Sequence, residues 1–296
     1  MHSDRWTSVA GWGVGVALAA LTVVTSAQQL PSEPQRAFGT GVTGAFEGWF
    51  ENPGGGRTFL IGYFNRNSSQ ELDIPIGPNN RIEPGGPDMG QPTHFLSGRQ
   101  WGMFTITVPK DFTAADQRLT WTLIANGQST TIPLRLHPDY VVSPFTDTAV
   151  KNTPPTLRFE ENGRSMQGPV AMFSTADARK ASVSSPLSIT LFAADDGKFA
   201  SGTMVLPSKP PPPVRLVWSK YRGPGTVTFE KAQSLMETLE GGGVNVAFRG
   251  KATATVRFSE PGEYVLHVTA LDFSGEGGSG EVCCWTTSMV KVSVTP

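Results

Sequence analysis

Residues 253–272 read TATVRFSEPGEYVLHVTALD, and this stretch decides the fold. Two runs of strict alternation meet at Pro261-Gly262. Before the turn Ala254, Val256 and Phe258 fall on one face, with Thr253, Thr255 and Arg257 on the other. After it Tyr264, Leu266, Val268 and Ala270 share a face, opposite Val265, His267 and Thr269. A period of two with one apolar face describes strands that bury a single side. The chain is therefore expected to be an all-β protein, with His267 on a solvated face.

The same pattern extends in both directions. Toward the C-terminus and upstream, Leu187, Ile189, Leu191 and Ala193 form an inward set, as do Leu216 with Trp218, and Val290 with Val292 and Val294. In the N-terminal half, Phe104, Ile106 and Val108 alternate with threonines, and Leu119, Trp121 and Leu123 do the same. Residues 59–64 are apolar on both faces, as a central strand would be. Phe46 and Phe50 share one face of the first strand, and Glu47, Trp49 and Glu51 share the other. Gly54-Gly55-Gly56 and Asn126-Gly127 read as turns. Residues 77–92, crowded with Pro, Gly and Asn, read as one long loop. No segment has the length, caps and 3.6-residue period of a substantial helix; residues 233–239 are expected to make a helical turn or two. Many turns between short strands account for 33 Gly and 24 Pro.

The N-terminus reads as an address. Arg5 precedes an apolar run over residues 9–24, and Thr25-Ser26-Ala27 supplies the small residues that favour cleavage. The run is short of the roughly 20 residues a membrane span needs. The expected organisation is a signal peptide over 1–27, a linker over 28–44, a first sandwich over 45–137, a Pro-rich linker over 138–155 and a second sandwich over 156–296. If the signal is cleaved, the product is secreted or periplasmic and not an integral membrane protein. A formal net charge of −1 gives no electrostatic reason to expect nucleic acid as a partner. Nothing in the sequence fixes the oligomeric state.

A resemblance follows from the second half. A strand ending in Asp195-Asp196-Gly197 precedes one carrying Trp218, and Phe258-Ser259-x-Pro261-Gly262-x-Tyr264 makes a corner before the last two strands. This resembles the immunoglobulin-like modules of secreted bacterial proteins, especially PKD-type repeats, over residues 156–296. The resemblance implies two consecutive immunoglobulin-like β-sandwich domains, of which the first is only loosely similar to fibronectin type III. The Trp-x-Phe-Gly-Asp-Gly stretch of those repeats is replaced here by Trp218-Ser-Lys-Tyr-Arg-Gly-Pro-Gly225. In such a sandwich Trp218 fills the core, and Tyr264 ties its hydroxyl to nearby backbone.

Candidate chemistry is sparse. Beyond the signal the histidines are His94, His137 and His267, in no metal-ligating spacing, and no nucleophile-elbow or phosphate-loop motif occurs. The sequence thus supports no catalytic residue. Cys283 and Cys284 are the only cysteines, so they form either a vicinal disulfide, which closes an eight-membered ring, or a pair of free thiols. Asp195, Asp196, Asp272, Glu276 and Glu281 are expected at one pole of the second sandwich. They form a candidate calcium site, or else are solvated turn residues. No other cofactor is expected. Trp49, Phe95 and Trp101 flank the Gly/Pro-rich loop and form a candidate glycan platform, with Trp49 foremost because it alternates with carboxylates. Residues 210–213 are four prolines, expected to act as a stiff spacer. The function read from these features is a secreted, non-enzymatic binding or structural module whose partner is an extracellular or periplasmic protein or glycan. A carbohydrate-binding protein or accessory module of polysaccharide degradation is the alternative, and a hydrolase working through two carboxylates, for example Glu47 with Glu51 or the acidic pole, is a further one.

Overall fold

A computed structural model describes residues 36–52, 55–113, 117–147, 151–169, 176–198, 212–243, 245–272 and 283–296. The expected signal peptide, Glu276, Glu281 and the first two of the four prolines at 210–213 lie outside the described residues. Residues 35–296 form one compact unit. Its described part is all-β apart from a single 3-10 turn at Pro138–Tyr140. No helix among the described residues is long and apolar enough to cross a membrane.

The N-terminal half carries β1 (Val42–Glu51), β2 (Arg57–Asn65), β3 (Leu72–Asp73), β4 (Asn80–Glu83), β5 (His94–Phe95), β6 (Gly98–Val108), β7 (Leu119–Ala125) and β8 (Gln128–Leu134). They form antiparallel sheets β1-β2-β6 and β4-β7-β8, with β3 and β5 paired at the side. Phe59, Ile61, Tyr63, Phe104, Ile106, Trp121 and Leu123 interdigitate between the two larger sheets. The segment expected to be one long loop contains β4, which pairs with β7. Asn80 is the reason: its amide donates to Ile74 O at 2.9 Å and Pro92 O at 2.8 Å, and its Oδ1 accepts from Trp121 Nε1 at 3.0 Å. One buried side chain thereby pins both ends of a Gly/Pro-rich segment to the core.

The C-terminal half carries β9 (Thr156–Arg158), β10 (Met166–Gln167), β11 (Asp177–Ser182), β12 (Leu187–Asp195), β13 (Arg215–Arg222), β14 (Val227–Phe229), β15 (Gln233–Leu235), β16 (Glu237–Gly241), β17 (Phe248–Phe258), β18 (Gly262–Leu271) and β19 (Trp285–Thr295). One sheet runs β10-β9-β12-β17-β14, with β16 also on β17; the other runs β11-β19-β18-β13-β15. The pairing β11·β19 is parallel and the remaining strand pairs are antiparallel. This is the order of an immunoglobulin-like sandwich. Residues 233–239, expected to turn helically, instead form β15 and the start of β16, because β13 and β17 offer open edges for pairing. Tyr264 Oη donates to Glu260 O at 2.9 Å and accepts from Gly225 N at 3.1 Å, closing the corner. Trp218 is buried and stacks on Phe229, with ring centroids 6.1 Å apart and planes inclined by 30°.

Alternation in β18 and β19 places each strand between two apolar environments. The even residues Leu266, Val268, Ala270, Val290, Val292 and Val294 enter the second core. The odd ones face the first half: Met289 joins the first core, Val265 packs against it, and Trp285 clusters with Phe50 and Leu60. The expected solvated face is therefore a buried seam between the halves. His267 is the clearest correction, since it is only 2% exposed and stacks on Tyr221. The Pro-rich connection is docked there too. Val142 N donates to Trp49 O at 2.9 Å, and Phe145 meets Phe50 edge-on.

Candidate ligand cleft at the seam

The seam opens into a cleft of about 720 Å³ where β3 and β5 meet β13. Alternation sets its chemistry: Phe95 points into the first core while its neighbour His94 faces the cleft, and Trp218 enters the second core while Ser219 lines the seam. The register of β13 against β18 skips Tyr221, a bulge that turns Lys220, Tyr221 and Arg222 together toward the first half. Tyr221 Oη donates to Gly90 O, and Thr93 N donates to Tyr221 O at 3.2 Å.

Four side chains then form one charged network. His94 Nδ1 is 3.0 Å from Asp73 Oδ1, and its Nε2 is 3.0 Å from Glu71 Oε2. Lys220 Nζ donates to the same Asp73 oxygen at 3.1 Å. The Lys220 and His94 side chains are 7% and 10% exposed, whereas those of Asp73 and Glu71 are more than half exposed. Bases are thus sunk in the wall and carboxylates stand at the mouth, joined there by Glu260. The network orders the mouth and leaves open carboxylate lone pairs toward solvent.

A second hollow of about 150 Å³ adjoins the first, sharing Leu96, Gln100, Val217 and Ser219 with it. Trp101, His267 and Trp285 are among the residues that line this second hollow. Trp285 reaches it because Gly102 opposite has no side chain; a Cβ there would lie 2.8 Å from the indole nitrogen. Beside it Glu47 is buried under Arg99, 2.9 Å from Nη2, and accepts from Gly102 N at 2.9 Å. Burial pushes the Glu47 carboxyl up to about 7, with Arg99 and the Gly102 N–H pulling it down. Burial drives His267 down to about 4.

The residues singled out from sequence are dispersed. Phe95 is fully buried against Tyr63 and Trp121 and offers no ring face. Trp49 is turned inward by a bulge between Phe46 and Gly48, so it packs on the first core and donates Nε1 to His137 O at 2.8 Å. That bulge inverts the expected faces: Phe46 and Trp49 now share the first core, while Phe50 joins Leu60 in the seam. Trp101 lines the second hollow. Glu47 is committed to Arg99, and Glu51 is exposed at the strand end beside Arg57, so these two do not face each other across a cleft.

At the pole of the second sandwich Asp195, Asp196 and Asp272 do come together. Asp195 accepts from Gly197 N at 2.8 Å, Asp196 from Thr153 N and Oγ1, and Asp272 from Asn152 Nδ2 at 2.6 Å. Burial, with Asp272 and Asp196 nearby, pushes Asp195 up to about 7 against the pull of the Gly197 N–H. Among the described residues, no group of three or more His, Cys, Asp or Glu is placed to hold a metal ion. Cys283 and Cys284, both buried, are joined in a vicinal disulfide. Glu71, Asp73 and Lys220 were not legible as a set, because 147 positions separate Asp73 from Lys220 and only the seam unites them.

No protein-family description matches the chain, and no curated protein matches its sequence. Among solved structures, the D00-D0 domain of intimin is similar over 86% of this chain and 100% of its own length, at 11% identity and a TM-score of 0.23. The fold assignment therefore rests on the strand order and the two cores.

Proposed function

We propose that this chain is an exported, non-enzymatic binding module whose ligand occupies the cleft between its two halves. The observation that carries this reading is the 720 Å³ hollow lined by the Glu71–His94–Asp73–Lys220 network. Ligand sites favour junctions between packed units, where a few polar groups converge in a hollow of several hundred Å³. Binding is favoured over catalysis because both His94 nitrogens are already held by carboxylates, which leaves no ring nitrogen to take a proton from a nucleophile. Export is the role that the N-terminal sequence supports, placing the cleft in the periplasm or outside the cell.

Peptide and glycan arrays probed with the full chain test this. Binding that is lost on Thr226→Trp, which places an indole at the exposed cleft rim, and weakened on Glu71→Ala supports the cleft as the site. Melting temperatures close to wild type show that the fold is kept. Array binding indifferent to both substitutions, or no binding to either array, refutes it.

A further inference from the structure

One pole of the first sandwich holds a further hollow, of about 460 Å³, where β6 ends and β7 begins. It shares no lining residue with the cleft. Val108, Phe112 and Leu119, buried members of the first core, line it, and Pro84, Met89 and Pro109 extend the apolar surface. Phe112 is fixed through its backbone: its O accepts from Arg57 Nη1 at 3.0 Å and its N donates to Pro109 O at 3.0 Å. Apolar hollows of about 300–1,000 Å³ are the usual size of small-ligand sites.

One cation borders this hollow. Arg118, exposed just before β7, lines it and also a neighbouring hollow beside Glu83. Among the described residues Arg118 has no hydrogen-bond or ion-pair partner. Glu83 is paired with Arg81 at 2.9 Å, and Asp88, next to Met89 in the chain, is paired with Arg222 at 2.8 Å. The protein thus places a guanidinium at an apolar hollow and commits these two carboxylates to other arginines. The remaining polar side chains of the lining are engaged as well. Gln117 Oε1 accepts from Thr113 N at 2.8 Å, and Thr107 Oγ1 lies 2.9 Å from Thr58 Oγ1. A polyol would find few partners there.

This contrast defines the ligand. An arginine beside apolar surface lays its stem along that surface and keeps its head in water. The head is a planar fork that takes a carboxylate through two parallel bonds. A molecule with an apolar body and one carboxylate satisfies both parts. We propose that this hollow is a second ligand site, for a small apolar monocarboxylate such as a medium-chain fatty acid. The tail lies on Val108, Phe112 and Leu119, and the head meets Arg118. The site is independent of the cleft.

Calorimetric titration of the full chain with octanoate and decanoate tests this. The alcohols and trimethylammonium salts of the same chain lengths are the uncharged and cationic controls. At least one carboxylate is expected to bind, and its controls at least tenfold more weakly. Arg118→Gln is expected to weaken carboxylate binding tenfold or more and to erase the preference over the alcohol. Pro109→Trp, which adds an indole at an exposed position of the lining, is expected to weaken it by a similar factor. Melting temperatures close to wild type show that the variants keep the fold; if Pro109→Trp does not fold, Gln117→Trp takes its place. No binding of either carboxylate, binding of a control as tight as that of its carboxylate, or binding indifferent to Arg118→Gln or to the added indole overturns the proposal. Thr226→Trp and Glu71→Ala are expected to leave carboxylate binding unchanged, so this site and the cleft stand or fall separately; a tenfold loss on either would place the carboxylate in the cleft and overturn the proposal.

Discussion

Arg222 of β13 grips Asp88 of the N-terminal half through two parallel bonds, Nη1 to Oδ2 at 2.9 Å and Nη2 to Oδ1 at 2.8 Å. The same guanidinium donates Nε to Gln91 O at 3.0 Å, so one side chain fastens the loop before β5 to the second sandwich. Asp88 is half exposed, which screens the pair, but the planar fork matches its partners in a way an ammonium cannot. Arg222→Lys is expected to cost about 1 kcal/mol, and less in 1 M salt, where screening is strongest. Urea denaturation at low and high salt checks this; an equal loss at both would show that charge is not what holds the contact.

The Tyr264 corner should yield separable losses. Tyr264→Phe keeps the ring in the core but strips Glu260 O and Gly225 N of their shared partner, at about 1–2 kcal/mol. Trp218→Ala empties the middle of the second core and should cost about 3–5 kcal/mol. Thermal melts order the two. A Trp218→Ala protein melting within about a degree of wild type would contradict the placement of that indole.

The period of two made β18 legible, yet it said nothing of what covers the polar face. His267 alternates as a solvated residue would, and only the neighbouring half of the molecule buries it. Trp49 misled for a local reason. Glu47 and Gly48 sit at a bulge, which shifts the parity of every later residue in β1. The glycine inside that strand was the available signal. The Glu71–His94–Asp73–Lys220 network had none, because its members are ordinary surface residues brought together by long-range pairing. Trp218 and Tyr264 were readable because their roles depend only on strand order within one sandwich.

Titration of the seam gives His267 a defined pH signature. The unfolded ring takes a proton below about 6.5, whereas the folded one waits until about 4, so its contribution to stability falls as the pH drops through that window. Glu47, whose folded carboxyl is pushed up to about 7, acts in the opposite sense: stability rises as the pH drops from 7 toward 4.5. His267→Gln removes the first effect and leaves the second. Relative to wild type, its stability at pH 5 compared with pH 7.5 should improve by about 2 kcal/mol. Urea midpoints at the two pH values measure this, and parallel profiles for the two proteins would argue against a buried neutral imidazole.

Asp195 supplies an independent pH test at the sandwich pole. Its Oδ2 is buried without a hydrogen-bond partner, and its neighbours Asp196 and Asp272 add like charge. A folded pKa near 7 means that stability is lost as the pH rises from about 4 through 7. Asp195→Asn keeps an oxygen for the Gly197 N–H and removes the charge. It should stabilise the protein by about 1–2 kcal/mol at pH 8 and by little at pH 5. Destabilisation at pH 8 would mean that the ionised carboxylate has a favourable partner.

Gly48 tests whether the bulge in β1 is built around the docked connection. Its φ of +138° is open to glycine, and a Cβ there would lie 2.5 Å from both Tyr140 O and Val142 Cγ1. Gly48→Ala therefore combines backbone strain with a clash against the Tyr140 carbonyl and the Val142 side chain, and should cost about 3 kcal/mol. Gly55→Ala is the control: φ is +89°, but nothing lies within 4 Å of the added methyl. It should cost only the strain, about 1 kcal/mol. Equal losses at the two positions would leave strain as the whole effect and would place the 140–142 segment away from β1; a larger loss at Gly48 ties the inward turn of Trp49 to the segment that covers it.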